Sequence, residues 1–225
     1  MSLGKFLLAM TLGAGVGSAQ AADARCLALG DSYTIGEGVE AEGRWPDQLA
    51  AALRKSGSAI AAPEIVARTG WTTDELSAAM DKHEFDPPYD LVTLLIGVNN
   101  QYRGRDIDNY RGEFRALLQR AITLAGNQPQ HVVVVSIPDW GVTRFGRHSG
   151  RDTQQIAREL NLYNAANAEI AASLHARYAE VTSASRNGGD RTDMLVSDGL
   201  HPSAAMYRLW LESIEPQARA ALSSP

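Results

Sequence analysis

The chain predicts an α/β fold, a parallel sheet of about five strands covered by helices on both faces. Three observations carry this. Short, continuous apolar runs recur from residue 25 onward, as strands buried on both faces require. Segments of helical period lie between them. Neither an internal repeat nor a linker divides the chain, and 44% hydrophobic against 21% charged residues over 225 positions suits one well-filled core.

The first segment, residues 1–21, reads as a secretory signal: Lys5, then the apolar stretch Phe6 to Val16, then the small-x-small site Ala19-Gln20-Ala21. The stretch is too short and too glycine-rich for a stable membrane span, so an uncleaved anchor is the weaker alternative. Gly13-Ala-Gly15-Val-Gly17 has no strand before it and is discounted as a nucleotide loop. The expected mature domain is 22–225, periplasmic or secreted.

The strands are expected at Cys26–Leu29, Glu64–Ala67, Leu91–Ile96, His131–Ile137 and Tyr178–Val181; Val132 to Val135 is the clearest, being β-branched throughout. Thr72-Thr73-Asp74-Glu75 caps a helix bearing Leu76 and Met80. Tyr110, Phe114, Leu117, Ala121 and Leu124 mark a second, and Ile156, Leu160, Tyr163, Asn167, Ile170 and Leu174 a third. Tyr207, Trp210, Leu211 and Ile214 give the last helix its apolar face, and Pro202-Ser203 opens it. Residues 139–152, rich in glycine and arginine and without period, read as a surface loop and candidate lid.

A net charge of −5 argues against a nucleic-acid partner. The single cysteine, Cys26, forms no internal disulfide and reads as a buried, inert thiol. No His/Cys cluster has zinc spacing, so neither metal nor cofactor is expected. Oligomeric state is not legible.

Chemistry concentrates after the strands, where open parallel sheets place their sites. Gly30-Asp31-Ser32 follows the first run, and Asp198-Gly-Leu-His201-Pro202 precedes the last helix. Ser32, His201 and Asp198 form the set that makes a hydroxyl nucleophilic, the acid three residues from the imidazole it would orient. The backbone N–H groups of Ser32 and Gly70 and the Asn99 amide are candidate donors to an oxyanion, each worth about 3–4 kcal/mol. Trp71, Tyr102, Trp140 and Phe145 are candidates for an acyl or aryl pocket as well as for packing, while His83, His131, His148 and His175 read as surface or structural.

Four segments in order resemble the conserved blocks of the SGNH (GDSL-type) hydrolases. They are Gly30-Asp31-Ser32-Tyr33, with Tyr33 where leucine often stands; Gly70 in Arg68-Thr-Gly-Trp71; Gly97-Val-Asn99-Asn100; and Asp198-Gly-Leu-His201. The stretch Gly97 to Gly104 is similar to the lysophospholipase-like subgroup. The resemblance implies a flavodoxin-like three-layer α/β/α sandwich and metal-independent hydrolysis of a small-molecule ester. Ser32 would be nucleophile, His201 general base and Asp198 its orienter, with Ser32, Gly70 and Asn99 as oxyanion hole. Asn100 stands where the family has aspartate, at a position that usually supports the loop. The rivals are an acyltransferase with the same triad and a non-catalytic binding protein on this scaffold. A nucleotide-binding protein is a third, disfavoured because Asp31 would sit where phosphate must bind.

Overall fold

The five apolar runs become five parallel strands of one sheet, β1 (Cys26–Gly30), β2 (Glu64–Ala67), β3 (Leu91–Leu95), β4 (Val132–Val135) and β5 (Arg177–Ala179). The structure is a computed structural model and describes residues 23–224; the expected signal at 1–21 lies outside them. Strand order is β2-β1-β3-β4-β5, with Ala28 opposite Ile65 on one side and Thr93 on the other. Every residue of β1, β3 and β4 is buried, because helices close both faces and leave no solvent side to alternate toward. The edge strands carry the charges: Glu64 opens β2 and Arg177 opens β5, where its guanidinium bonds the carbonyls of Gln130 and Ala220.

The helices are α1 (Ser32–Ile35), α2 (Trp45–Lys55), α3 (Thr73–Met80), α4 (Val98–Tyr102), α5 (Ile107–Leu124), α6 (Arg144–His148), α7 (Thr153–Ser173), α8 (Thr182–Gly188) and α9 (Ala204–Leu222). On one face α9 packs against α2, α8, β4 and β5; on the other α5 lies between α3 and α7. This is the expected α/β/α sandwich. The stripe Tyr110, Phe114, Leu117 and Ala121 is buried as its spacing requires, and Thr72 and Glu75 close a capping box at the head of α3. Cys26 is buried and unpaired, and burial pushes its thiol up to about 12.

Four local expectations change. Strand β5 is Arg177–Ala179 rather than Tyr178–Val181, because Val181 already caps α8. Strand β4 is shorter than His131–Ile137, because Pro129–His131 forms a 3₁₀ turn before it and Pro138 follows soon after it. Helix α2 was not anticipated, although Pro46 stands in its first turn and Trp45, Leu49, Ala50 and Leu53 are buried at helical spacing. Segment 139–152 is no irregular surface loop. It holds a 3₁₀ turn (Trp140–Val142) and α6, with Asp139, Trp140 and Thr143 buried. Its order comes from hydrogen bonds invisible to periodicity: Asp139 accepts from Gly141 N–H and from Arg186 Nε, and Thr143 Oγ1 accepts from Gly146 N–H.

From β1 the chain runs outward to β2 and returns across it to β3, so consecutive connections diverge beyond the carboxyl ends of β1 and β3. A crevice opens at that switch point.

Candidate active site

Strand β1 ends at Gly30, where an added Cβ would lie 2.5 Å from the Leu95 carbonyl and 2.2 Å from Thr34 Oγ1. Only glycine lets the chain turn there. Asp31 then caps α1, accepting the Tyr33 N–H at 3.0 Å, and Ser32 becomes the first helical residue. Gly36, left-handed at φ +72°, ends the helix after a single turn. The hydroxyl of Ser32 therefore sits at a helix N-terminus, where the dipole favours developing negative charge.

On the far side, the turn before α9 carries His201. Asp198 Oδ1 accepts the N–H groups of Leu200 (2.7 Å) and His201 (3.0 Å), and Asp198 Oδ2 accepts His201 Nδ1–H at 2.6 Å. That contact fixes the tautomer with the proton on Nδ1 and leaves Nε2 as the basic nitrogen. Partial burial would raise the Asp198 carboxyl, but the imidazole and the two N–H groups outweigh it and hold the group below the usual carboxylate range. The Tyr33 ring stands edge-on to the imidazole, centroids 5.7 Å apart, and leans on Trp210 of α9. The tyrosine at the usual leucine position thus backs the histidine.

Gly70, after β2, adopts φ +87°, and Gly97, after β3, adopts φ +127°. Gly97 caps α4, whose first turn carries Asn99. One N–H of the Asn99 amide donates to the Trp71 carbonyl at 2.9 Å, its second has no acceptor among the described residues, and Arg103 Nη2 donates to the Gly70 carbonyl at 2.7 Å. Helix α4 thereby holds the glycine turn beside it. The Ser32 and Gly70 N–H groups have no turn, loop or side-chain acceptor among the described residues.

Asn100 is fully buried and serves the loop. Its carbonyl oxygen accepts Thr73 N–H at 3.1 Å, its NH₂ donates to Thr73 Oγ1 at 2.6 Å, and the Thr73 hydroxyl donates onward to Glu113. An aspartate could not donate to that hydroxyl; Glu113 makes the amide the better fit here.

Ser32, Gly70, Asn99 and His201 line one cavity of about 230 Å³, and Asp198 touches it only through His201. Tyr102, Trp140 and Phe145 supply the aromatic walls, whereas Trp71 is turned into the adjoining core and is absent from the lining. Tyr33, beside the nucleophile candidate, adds a fourth aromatic ring, and Thr69, Val98 and Leu200, each next to a candidate site residue, complete the lining. The other histidines lie elsewhere: His83 pairs with Glu64, and His148 Nδ1 contacts the Arg144 carbonyl. Among the described residues no group of acids, histidines and cysteines could hold a metal, and no helix is long and apolar enough to cross a membrane.

Residues 28–209 match the GDSL-like Lipase/Acylhydrolase family. No curated protein matches the chain by sequence. Among solved structures it is similar to TesA (19% identity, TM-score 0.67, covering 88% of this chain and 99% of that one). It is similar to a phospholipase A1 from Streptomyces albidoflavus NA297 (20%, 0.65, 89% and 100%). It is also similar to the psychrotrophic esterase EstA from Pseudoalteromonas sp., in a structure inhibited by monoethylphosphonate (17%, 0.64, 90% and 100%). At these identities the structures share the fold, and the family match carries the activity class. The chain belongs to the GDSL-like lipase/acylhydrolase family and is a carboxylic ester hydrolase of that type.

Proposed function

We propose that the protein hydrolyses short- or medium-chain acyl esters through an acyl-enzyme on Ser32. His201 Nε2 takes the Ser32 proton as Oγ attacks the ester carbonyl. The N–H groups of Ser32 and Gly70 and the second N–H of Asn99 hold the tetrahedral oxyanion. The oxyanion collapses, His201 protonates the departing alcohol, and the acyl group stays on Ser32. Water then enters, gives a proton to His201 as it attacks the acyl carbonyl, and the second tetrahedral oxyanion collapses with cleavage of the acyl–Oγ bond, His201 returning the proton to Ser32 as the acid leaves. Asp198 keeps the tautomer and stabilises the imidazolium that forms twice per turnover.

The observation that carries this reading is the 2.6 Å contact from His201 Nδ1 to Asp198 Oδ2, made by an imidazole that shares a cavity with Ser32. Substrate size follows from the volume: about 230 Å³ is below the roughly 300–1,000 Å³ typical of sites for drug-sized ligands. Most of the wall is aromatic or aliphatic, and no Asp, Glu, Lys or Arg lines it, which suits an uncharged acyl chain. Export to the periplasm or the medium follows from the secretory pattern of residues 1–21.

Turnover of p-nitrophenyl esters from acetate to long-chain acyl, wild type beside Ser32→Ala, tests the reading. Wild-type turnover strongest on the shorter esters and abolished in Ser32→Ala is expected. Comparable turnover by the variant would overturn the assignment of the nucleophile.

A further inference from the structure

The aromatic end of the cavity is held by a closed ring of polar contacts. Trp140 Nε1–H donates to Gln101 Oε1 at 2.8 Å, and Gln101 Nε2 donates to Glu159 Oε2 at 2.6 Å. Indole only donates and carboxylate only accepts, so the orientation of the Gln101 amide is settled. Glu159, on α7, pairs with Arg151 Nη2 at 3.3 Å. The Arg151 guanidinium turns back over the wall, its carbon 5.3 Å from the Trp140 ring centroid and 5.7 Å from that of Tyr102, while Nη1 donates to the Tyr102 carbonyl at 3.1 Å. Tyr102 and Trp140 meet edge to face at 5.3 Å.

The two rings are not equally secured. Trp140 is 1% exposed and Gln101 2%, so burial alone retains them. Tyr102 is 48% exposed and stands at the last residue of α4, so burial does not hold its ring. Arg151 binds it at both the carbonyl and the ring. The chemistry of arginine fits this task, since a planar guanidinium stacks and forks at once and a lysine ammonium does neither.

We propose that Arg151, anchored by Glu159 and Gln101, is a specificity-determining positioning residue. It pins Tyr102 against Trp140 and thereby closes the end of the acyl cavity, restricting the enzyme to short acyl groups. This rests on the proposed acyl-enzyme reading. Tyr102 lies three residues beyond Asn99 on α4, whose amide is assigned to the oxyanion, while the leaving alcohol must lie beside His201; the proposal places the acyl chain, not the alcohol, against this wall.

The test is kcat and KM on p-nitrophenyl acetate, butyrate and octanoate for wild type, Arg151→Ala, Arg151→Lys and Arg158→Ala. The octanoate-to-acetate ratio of kcat/KM should rise about tenfold in Arg151→Ala, the discrimination a pocket wall exerts over one or two methylenes, chiefly through a lower octanoate KM. Arg151→Lys should shift the ratio the same way, because its charge still faces Glu159 but the stacking is gone. It also decides the matter should the alanine variant not fold. Arg158→Ala removes only a surface contact to Asp152 at 3.5 Å and should leave the ratio at the wild-type value. An active Arg151→Ala or Arg151→Lys enzyme with an unchanged ratio, whatever its Tm, would overturn this role and leave the acyl-enzyme reading intact. Absence of Ser32-dependent turnover of every ester by the wild type would overturn both.

Discussion

Asp31 is fully buried, accepts the Tyr33 N–H with Oδ1, and leaves Oδ2 without a hydrogen-bond partner among the described residues. Burial pushes its carboxyl up to about 7, against the smaller opposing pull of the backbone N–H groups. The folded chain therefore binds this proton more tightly than the unfolded chain. Stability falls as pH rises from the ordinary carboxylate range through about 7, and above that the whole cost of an ionised buried group is present. Asp31→Asn keeps the cap acceptor and removes the charge. It should match the wild type more nearly at pH 4 and exceed it at pH 8.5 by on the order of a few kcal/mol in urea unfolding. A difference that does not grow with pH would contradict this account of Asp31. Asp198 behaves oppositely: the His201 imidazole and two backbone N–H groups hold it below its usual range. Asp198→Asn should lower kcat by about 10⁴-fold, the loss seen when a triad acid is made neutral. A kcat within tenfold of wild type would remove Asp198 from the role.

Helix α4 ties most of the site together, and its tolerance is narrow. A Cβ on Gly97 would lie 2.5 Å from Tyr110 Oη, which donates to Asn167 Oδ1 at 2.7 Å in the core, and φ +127° strains any other residue. Gly97→Ala should cost about 2–3 kcal/mol in urea unfolding from strain and overpacking together, and it should lower kcat by displacing Asn99. A stable, fully active variant would show that α4 has slack. Elements with strong patterns, such as α5, α7 and the valines of β4, were legible because burial on one stripe or both faces writes itself into residue spacing. Helix α2 carried the same signal over only 11 residues, beside the short turns that follow Ser32. Segment 139–152 carried none, since Asp139 and Thr143 order it through side chain to backbone contacts and Arg186 through an ion pair to Asp139.

Across the whole molecule, the strand count came from apolar runs, but the order β2-β1-β3-β4-β5 did not, because parallel pairing leaves no mark in any single strand. The structure supplies it. The residues assigned to chemistry were legible for a different reason. Ser32, Gly70 and Asn99 each follow a strand, and the fold brings the ends of adjacent strands together. The cavity itself was only half legible. Tyr102, Trp140 and Phe145 were marked by residue type, whereas Gln101, Arg151 and Glu159 close their ring across separations that no periodicity records.

The central claim is that one serine, at the head of α1, is activated by His201. Intact-mass and peptide mapping after incubation with a p-nitrophenyl alkylphosphonate tests it most directly, since only an activated hydroxyl displaces the nitrophenolate. One phosphonyl adduct per chain, mapped to Ser32, slowed strongly in His201→Ala and absent in Ser32→Ala, is the predicted result. An adduct on another residue, or ester turnover surviving in Ser32→Ala, would contradict it.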